Sequence, residues 1–217
     1  QLEGVHLVGG YDRYCGGMVL YANSTAKVVN STITNCSATT MGSGNAFASA
    51  VHIDSDASAA LTGTTIARCS ATAQGDGQAW SGAIFADDRA TLTIDGGAIT
   101  DCSATTMGSE NACAGAMCID PDASATLTGT TIARCSATAQ GDGQAWSGAI
   151  FADDRATLTI DGGAITDCSA TTMGTDNALA GAMRIDPDAS ATLTGTTIAR
   201  CSATAQGNGQ AYSGAIF

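Results

Sequence analysis

Apolar and polar residues alternate in short runs along the chain, and large apolar residues at helical spacing are absent. In the segment ATLT, Leu127 faces one way while Thr126 and Thr128 face the other, as in a half-buried strand. The same runs are crowded with β-branched residues and glycine, which disfavours helix. The pattern predicts three strands per unit, at ATLT, around TTIARC and at SGAIFAD, with ATAQGDGQAW as a loop before the third.

These runs return at a fixed interval. Cys36, Cys69, Cys102, Cys135, Cys168 and Cys201 recur at a constant 33-residue spacing, in words that alternate between IARCSA and ITNCSA or ITDCSA. The true repeat is therefore two units long, a 66-residue super-repeat, and positions 61–108 are identical to positions 127–174. Three short strands per unit, repeated in register, describe one coil of a single-stranded parallel β-helix. The fold class read here is all-β, one solenoid over 1–217. Its coils are expected at about 14–46, 47–79, 80–112, 113–145, 146–178 and 179–211, with a partial coil at 212–217.

Stacking at about 4.8 Å turns residues one unit apart into vertical neighbours. Three apolar columns then form the core: Val28, Leu61, Ile94, Leu127, Ile160 and Leu193; the six isoleucines from Ile33 to Ile198; and Val51, Ile84, Met117, Ile150, Met183 and Ile216. Core volume is uneven between coils, and Leu92, with Ala59 and Ala125 as vertical neighbours, is expected to compensate within its coil. Two columns alternate in charge: Asn35, Arg68, Asp101, Arg134, Asp167 and Arg200, and Asp56, Arg89, Asp122, Arg155 and Asp188. Exposed pairs of this kind stabilise little, so their expected effect is to penalise a one-coil slip by bringing like charges together.

One column stacks carboxylate on carboxylate: Asp54, Asp87, Asp120, Asp153 and Asp186. Such a row must accept hydrogen bonds from turn amides, lean on arginine, or hold cations. Turn capping is the simpler reading. Calcium, the only cofactor considered, would use the same oxygens, although no Gly-Gly-x-Gly-x-Asp calcium repeat occurs.

The column cysteines behave as small apolar residues if buried. They could pair as Cys36–Cys69, Cys102–Cys135 and Cys168–Cys201, but in-register Cβ atoms would have to approach more closely than the coil spacing, which favours free thiols. Cys113 and Cys118 flank the GAM word and could close a local loop, while Cys15 has no obvious partner.

Words such as Gly82-Ala83-Ile84, Gly115-Ala116-Met117 and Gly148-Ala149-Ile150, paired with Ile66-Ala67-Arg68-Cys69 and its equivalents, resemble the polymorphic outer-membrane-protein repeats. Those repeats are a branch of the right-handed, pectate-lyase-like β-helices. In this chain isoleucine stands for the aromatic residue of the second word, and cysteine for its asparagine. The resemblance covers about residues 14–217 and implies a right-handed solenoid of the cell-surface kind, with the cysteines at an inward bend. It does not imply an enzyme.

Composition narrows the partners. The chain of 217 residues carries a net charge of −12, and its one Lys and seven Arg are scattered singly, which excludes a phosphate-binding stripe and with it nucleic acid. No apolar run is long enough to span a bilayer, and the N-terminus QLEGVHLVGG lacks signal-peptide character, so the chain is read as mature or as a piece of something longer. Asn23, Asn30 and Asn35 each begin an Asn-x-Ser/Thr acceptor, as in a glycosylated extracellular protein, although such matches also arise by chance in a Ser/Thr-rich chain.

Outward threonines form a wall from Thr91, Thr93, Thr126, Thr128, Thr157, Thr159, Thr192 and Thr194, interrupted by Asp95 and Asp161. Phe85, Phe151 and Phe217 point away from the core and offer an interaction face, unless Trp80, Trp146, Phe47 and Tyr212 cover them.

The leading expectation is a non-enzymatic, extracellular structural or adhesive solenoid that self-associates end to end or laterally. Binding of ice or glycans by the threonine wall is the alternative. A polysaccharide-active enzyme ranks third, because its unique candidates Lys27, His52, Glu110 and Arg184 converge on no non-repeated carboxylate cluster.

Overall fold

The structure, a computed structural model, describes residues 1–217 as parallel strands with no helix. Five strands make a coil. In one coil they are Thr91–Asp95, Ala98–Thr100, Ser103–Thr106, Ala112–Ala114 and Met117–Ile119. Each pairs in parallel with its equivalents one unit before and one unit after, giving three seven-stranded and two six-stranded sheets, here numbered first to fifth in the order of these strands. The sequence pattern foresees three of the five. The two it assigns to loop or merges, such as Ser70–Ala73 and Ala79–Ser81, alternate alanine with serine, threonine or tryptophan and so carry little hydrophobic contrast.

The main core lies between the first, second and fifth sheets, and the three expected columns fill it. Within it, volume is exchanged between two positions of each coil. One coil holds Ala86 and Leu92, the next Ile119 and Ala125, and the one after that Ala152 and Leu158. All six are buried. A large residue at one site therefore accompanies alanine at the other, and from Ile53 to Ile185 large side chains stack on small ones, whereas the first coil sets Leu20 on Ile53.

A second compartment is thinner. The third and fourth sheets meet through small side chains, mostly alanine, with Ala71, Ala79 and Ala104 in one cluster, Ala112, Ala137 and Ala145 in the next, and Thr106 and Thr172 buried beside them. The result is a fin on the main lobe, and Gly115 stands at its neck. A Cβ there would run into the carbonyl of Gly148 and the backbone of Ser136, so only glycine lets the two walls converge.

Corners are made by left-handed residues stacked in columns. Asn35, Arg68, Asp101, Arg134, Asp167 and Arg200 all have φ between 54° and 57°. Asn23, Asp56, Arg89, Asp122 and Arg155 are likewise left-handed at a second corner, and a third runs from Gly4 through Asn30 to Gly63, Gly96, Gly129, Gly162 and Gly195. Asparagine tolerates this region better than other side-chain-bearing residues, so the three Asn each have a backbone reason to be where they are.

The first coil begins earlier than residue 14. Leu2–Glu3, His6–Val8, Tyr11–Asp12 and Met18–Leu20 pair with the coil above, and Cys15 bridges to Ala48. Asp12 opposes Ala38 while Cys15 opposes Ala48, so three steps of chain do what ten do elsewhere and the fin tip is missing from this coil.

The volume exchange is open to a double-mutant cycle. Ala125→Leu is expected to cost about 1–3 kcal/mol by overpacking and Ile119→Ala about 2–5 kcal/mol by leaving a cavity. The double variant, which gives that coil the composition of its neighbours, then stacks large on large and should not return to wild-type stability. Denaturant titration of the four proteins reads the coupling.

Candidate functional site

Four surfaces carry the residues that the sequence singles out. On the first sheet, Thr91, Thr93, Thr126, Thr128, Thr157, Thr192 and Thr194 are exposed and Thr159 is half-buried, in unbroken register along the axis. Asp95 and Asp161 interrupt the outermost column at every second coil.

The alternating charges pair in one direction only. Arg89 reaches back to Asp56, Arg134 to Asp101, Arg155 to Asp122 and Arg200 to Asp167, each by two hydrogen bonds of 2.6–2.8 Å. Hydrogen bonding from the guanidinium holds each of these carboxyls below its ordinary value. Arg68 donates to Asn35, which is itself exposed, as are Asn23 and Asn30. The residue after Asn35, Cys36, is buried.

The cysteine column lines the main core as thiols, each Sγ donating to the carbonyl two residues earlier. Hydrogen bonding to neighbouring sulfurs of the column, and then burial, push the Cys69 and Cys135 thiols up. They are packing residues in this setting.

Phe85 and Phe151 do leave the main core, but they are buried rather than exposed. The concave corner between the fourth and fifth sheets is filled by an aromatic layer that roofs them: Phe47 and Trp80 lie edge-on to Phe85, and Trp146 tilts over Phe151 at 4.9 Å. Only Phe217, half exposed beside Tyr212, keeps the expected outward position. Two coils separate Trp80 from Trp146, yet their rings meet at 6.3 Å. They do so because Cys113 and Cys118 replace both aromatic residues in the coil between, and the tryptophans close over these two thiols. Burial pushes both thiols well up.

The aspartate column runs beside this corner and caps its turns. Each residue accepts, through its main-chain carbonyl, the amide three residues on, as Ala57 donates to Asp54. The side chains of Asp54, Asp87 and Asp153 also accept the next amide at 2.8–2.9 Å. Asp120 and Asp186 cannot, because Pro121 and Pro187 follow them and have no N–H. Asp186 is instead reached by Arg184 at 2.8 Å, whose guanidinium lies over Trp146 at 4.5 Å. Asp120 has only the Cys118 thiol, at 3.7 Å. Desolvation, followed by the charges of Asp87 and Asp153, raises its carboxyl to about 7.

At the N-terminal end the corner opens into a cleft of about 510 Å³ lined by Tyr14, Tyr21, Phe47, His52, Asp54 and Asp87, among others. Sequence reasoning treats Asp54 and Asp87 only as two members of the acidic row. It places His52 among residues that converge on nothing, because the coil of residues 2–20 that walls the cleft carries no copy of the repeat words. Lys27 lies on the first sheet and Glu110 at the fin tip with Gln78, apart from His52 and Arg184, which share one column of the fifth sheet four coils apart, Arg184 beside Asp186.

No family model matches the chain, and no curated protein or solved structure matches it.

Because the carboxyl of Asp120 is raised on folding, the native state binds a proton that the unfolded chain releases near pH 4. Its stabilising effect is present in acid and is lost as pH rises through about 7. In chelator, stability should therefore fall by up to about 4 kcal/mol between pH 3 and pH 8, most of it between pH 4 and pH 7, and Asp120→Asn should flatten that slope. Urea unfolding at several pH values checks this; parallel slopes for the two proteins would refute it.

Proposed function

We propose that the chain is a non-enzymatic structural segment of an extracellular fibre or cell-surface stalk, built by stacking coils of one kind. The observation that carries this reading is that five parallel ladders, three of seven strands and two of six, run along the axis in register, with outward columns repeating at every second coil. Such a surface offers the same group again and again along one axis, which suits self-association and multivalent adhesion better than recognition of one small molecule. The resemblance to outer-membrane-protein repeats within the right-handed, pectate-lyase-like solenoids supports the same setting. Exposed Asn23, Asn30 and Asn35 suit a glycosylated surface.

The open edges of a coil carry unpaired backbone donors and acceptors, and a coil of matching composition pairs with them. Electron microscopy and X-ray scattering of the concentrated pure chain should show rods that lengthen with concentration and an axial spacing of about 4.8 Å. Particles that stay the length of one chain at every concentration would refute self-stacking.

The exposed Thr91–Thr93 and Thr126–Thr128 pairs on the first sheet favour a second reading, binding of an ordered surface such as ice or a glycan. Thermal hysteresis and ice shaping, lost in Thr126→Lys, are its expected signature. Freezing behaviour equal to that of an albumin control would remove the ice form of it.

A further inference from the structure

The sixfold column that starts at His52 continues as Phe85, Cys118, Phe151, Arg184 and Phe217. His52 is thus the one imidazole in a row otherwise devoted to covering the corner. It is 8% exposed, and its Nδ1 is buried without a hydrogen-bond partner. A polar nitrogen in that position lacks a ligand, which costs free energy unless something supplies one.

What lies beside it is acidic. His52 and Asp54 are two apart at the end of one strand and share its outward face, and Asp87 stands one coil above Asp54. One ligand atom from each of the three lies within 4.8 Å of the others. The two carboxylates accept only the amides of Ser55 and Asp88 at the turn, and no arginine or lysine reaches either. The contrast with the other end of the column is direct, since there Arg184 occupies the position of His52 and neutralises Asp186. At the His52 end the same concentration of negative charge meets a ring that desolvation keeps neutral, its pKa lowered against the pull of Asp87 and Asp54.

We propose that His52, Asp54 and Asp87 bind a divalent first-row transition ion of the zinc or cobalt kind. One imidazole nitrogen and one oxygen from each carboxylate hold it, and its remaining positions open into the cleft beneath Tyr14 and Tyr21. The nitrogen ligand sets the class of ion, because calcium and magnesium prefer all-oxygen sets whereas imidazole suits zinc, cobalt, nickel and copper. The two purely acidic groups, Asp87 with Asp88 and Asp120, and Asp153 with Asp154 and Asp186, lack that nitrogen and carry no part of this inference. The site differs from the calcium row expected from sequence and does not depend on whether the solenoid polymerises.

The test is a titration of the full chain with Co²⁺ under reducing conditions, followed by displacement with Zn²⁺. The expected result is one equivalent bound, with weak visible bands and no thiolate charge-transfer band. His52→Gln should weaken binding at least about tenfold, the lower end of what loss of a mere supporting partner of a metal ligand costs, while His6→Gln, at the other and exposed histidine, leaves it unchanged. Circular dichroism checks that the variants fold. X-ray absorption of the zinc-loaded wild type needs no variant and should show a single imidazole among oxygen ligands. Absence of binding, an intense thiolate band, equal competition by Ca²⁺, or binding indifferent to His52→Gln would each overturn the proposal.

Discussion

Everything in this molecule depends on the parallel in-register stacking of coils, which sets each side chain about 4.8 Å from its own equivalent above and below. That spacing suits the stacked aliphatic side chains of the three core columns, but it leaves limited room for further bulk within each coil and brings like charges close unless they are compensated. The chain meets both difficulties by alternating. Ala86 with Leu92 gives way to Ile119 with Ala125, and Arg89 gives way to Asp122, so that volume and charge complement each other one coil at a time. The left-handed corners obey the same rule from the side of the backbone, because a column of positive φ must be filled by residues that all accept it.

The aspartate row is where alternation is not used, and there the protein relies on other devices. Turn amides serve Asp54, Asp87 and Asp153, an arginine serves Asp186, and Asp120 comes through folding with its proton held more tightly. Two prolines decide which carboxyl falls in which class. Their effect is electrostatic as much as conformational, since each removes the one donor that its neighbour would otherwise use.

Much of this was legible in the residues. The even spacing of the column cysteines fixes the stacking, and stacking fixes the three core columns without any coordinates. The alanine fin was not legible, because Ser70–Ala73 and Ala79–Ser81 bury only alanine and serine side chains and look like loop to any rule that counts large apolar residues. The fate of Phe85 and Phe151 was legible only as a choice. Alternation sends them out of the main core, but whether they meet water depends on rings from a neighbouring strand and on the small cysteines that let Trp80 and Trp146 close over the gap. His52 stayed obscure for a different reason: its surroundings come from residues 2–20, which share the stacking but not the words.

The exchange of bulk between adjacent coils also bears on how such a chain changes length. Recombination between near-identical segments can add or remove repeats, and positions 61–108 and 127–174 have the identity expected of such an event. Loss of a single coil would set Leu92 directly against Leu158 and Arg89 against Arg155. Loss of a pair would keep both alternations in step. Whole pairs of coils are therefore the increment that keeps bulk and charge alternating, and a change by an odd number carries a folding cost that acts before any selection on the length of the finished rod.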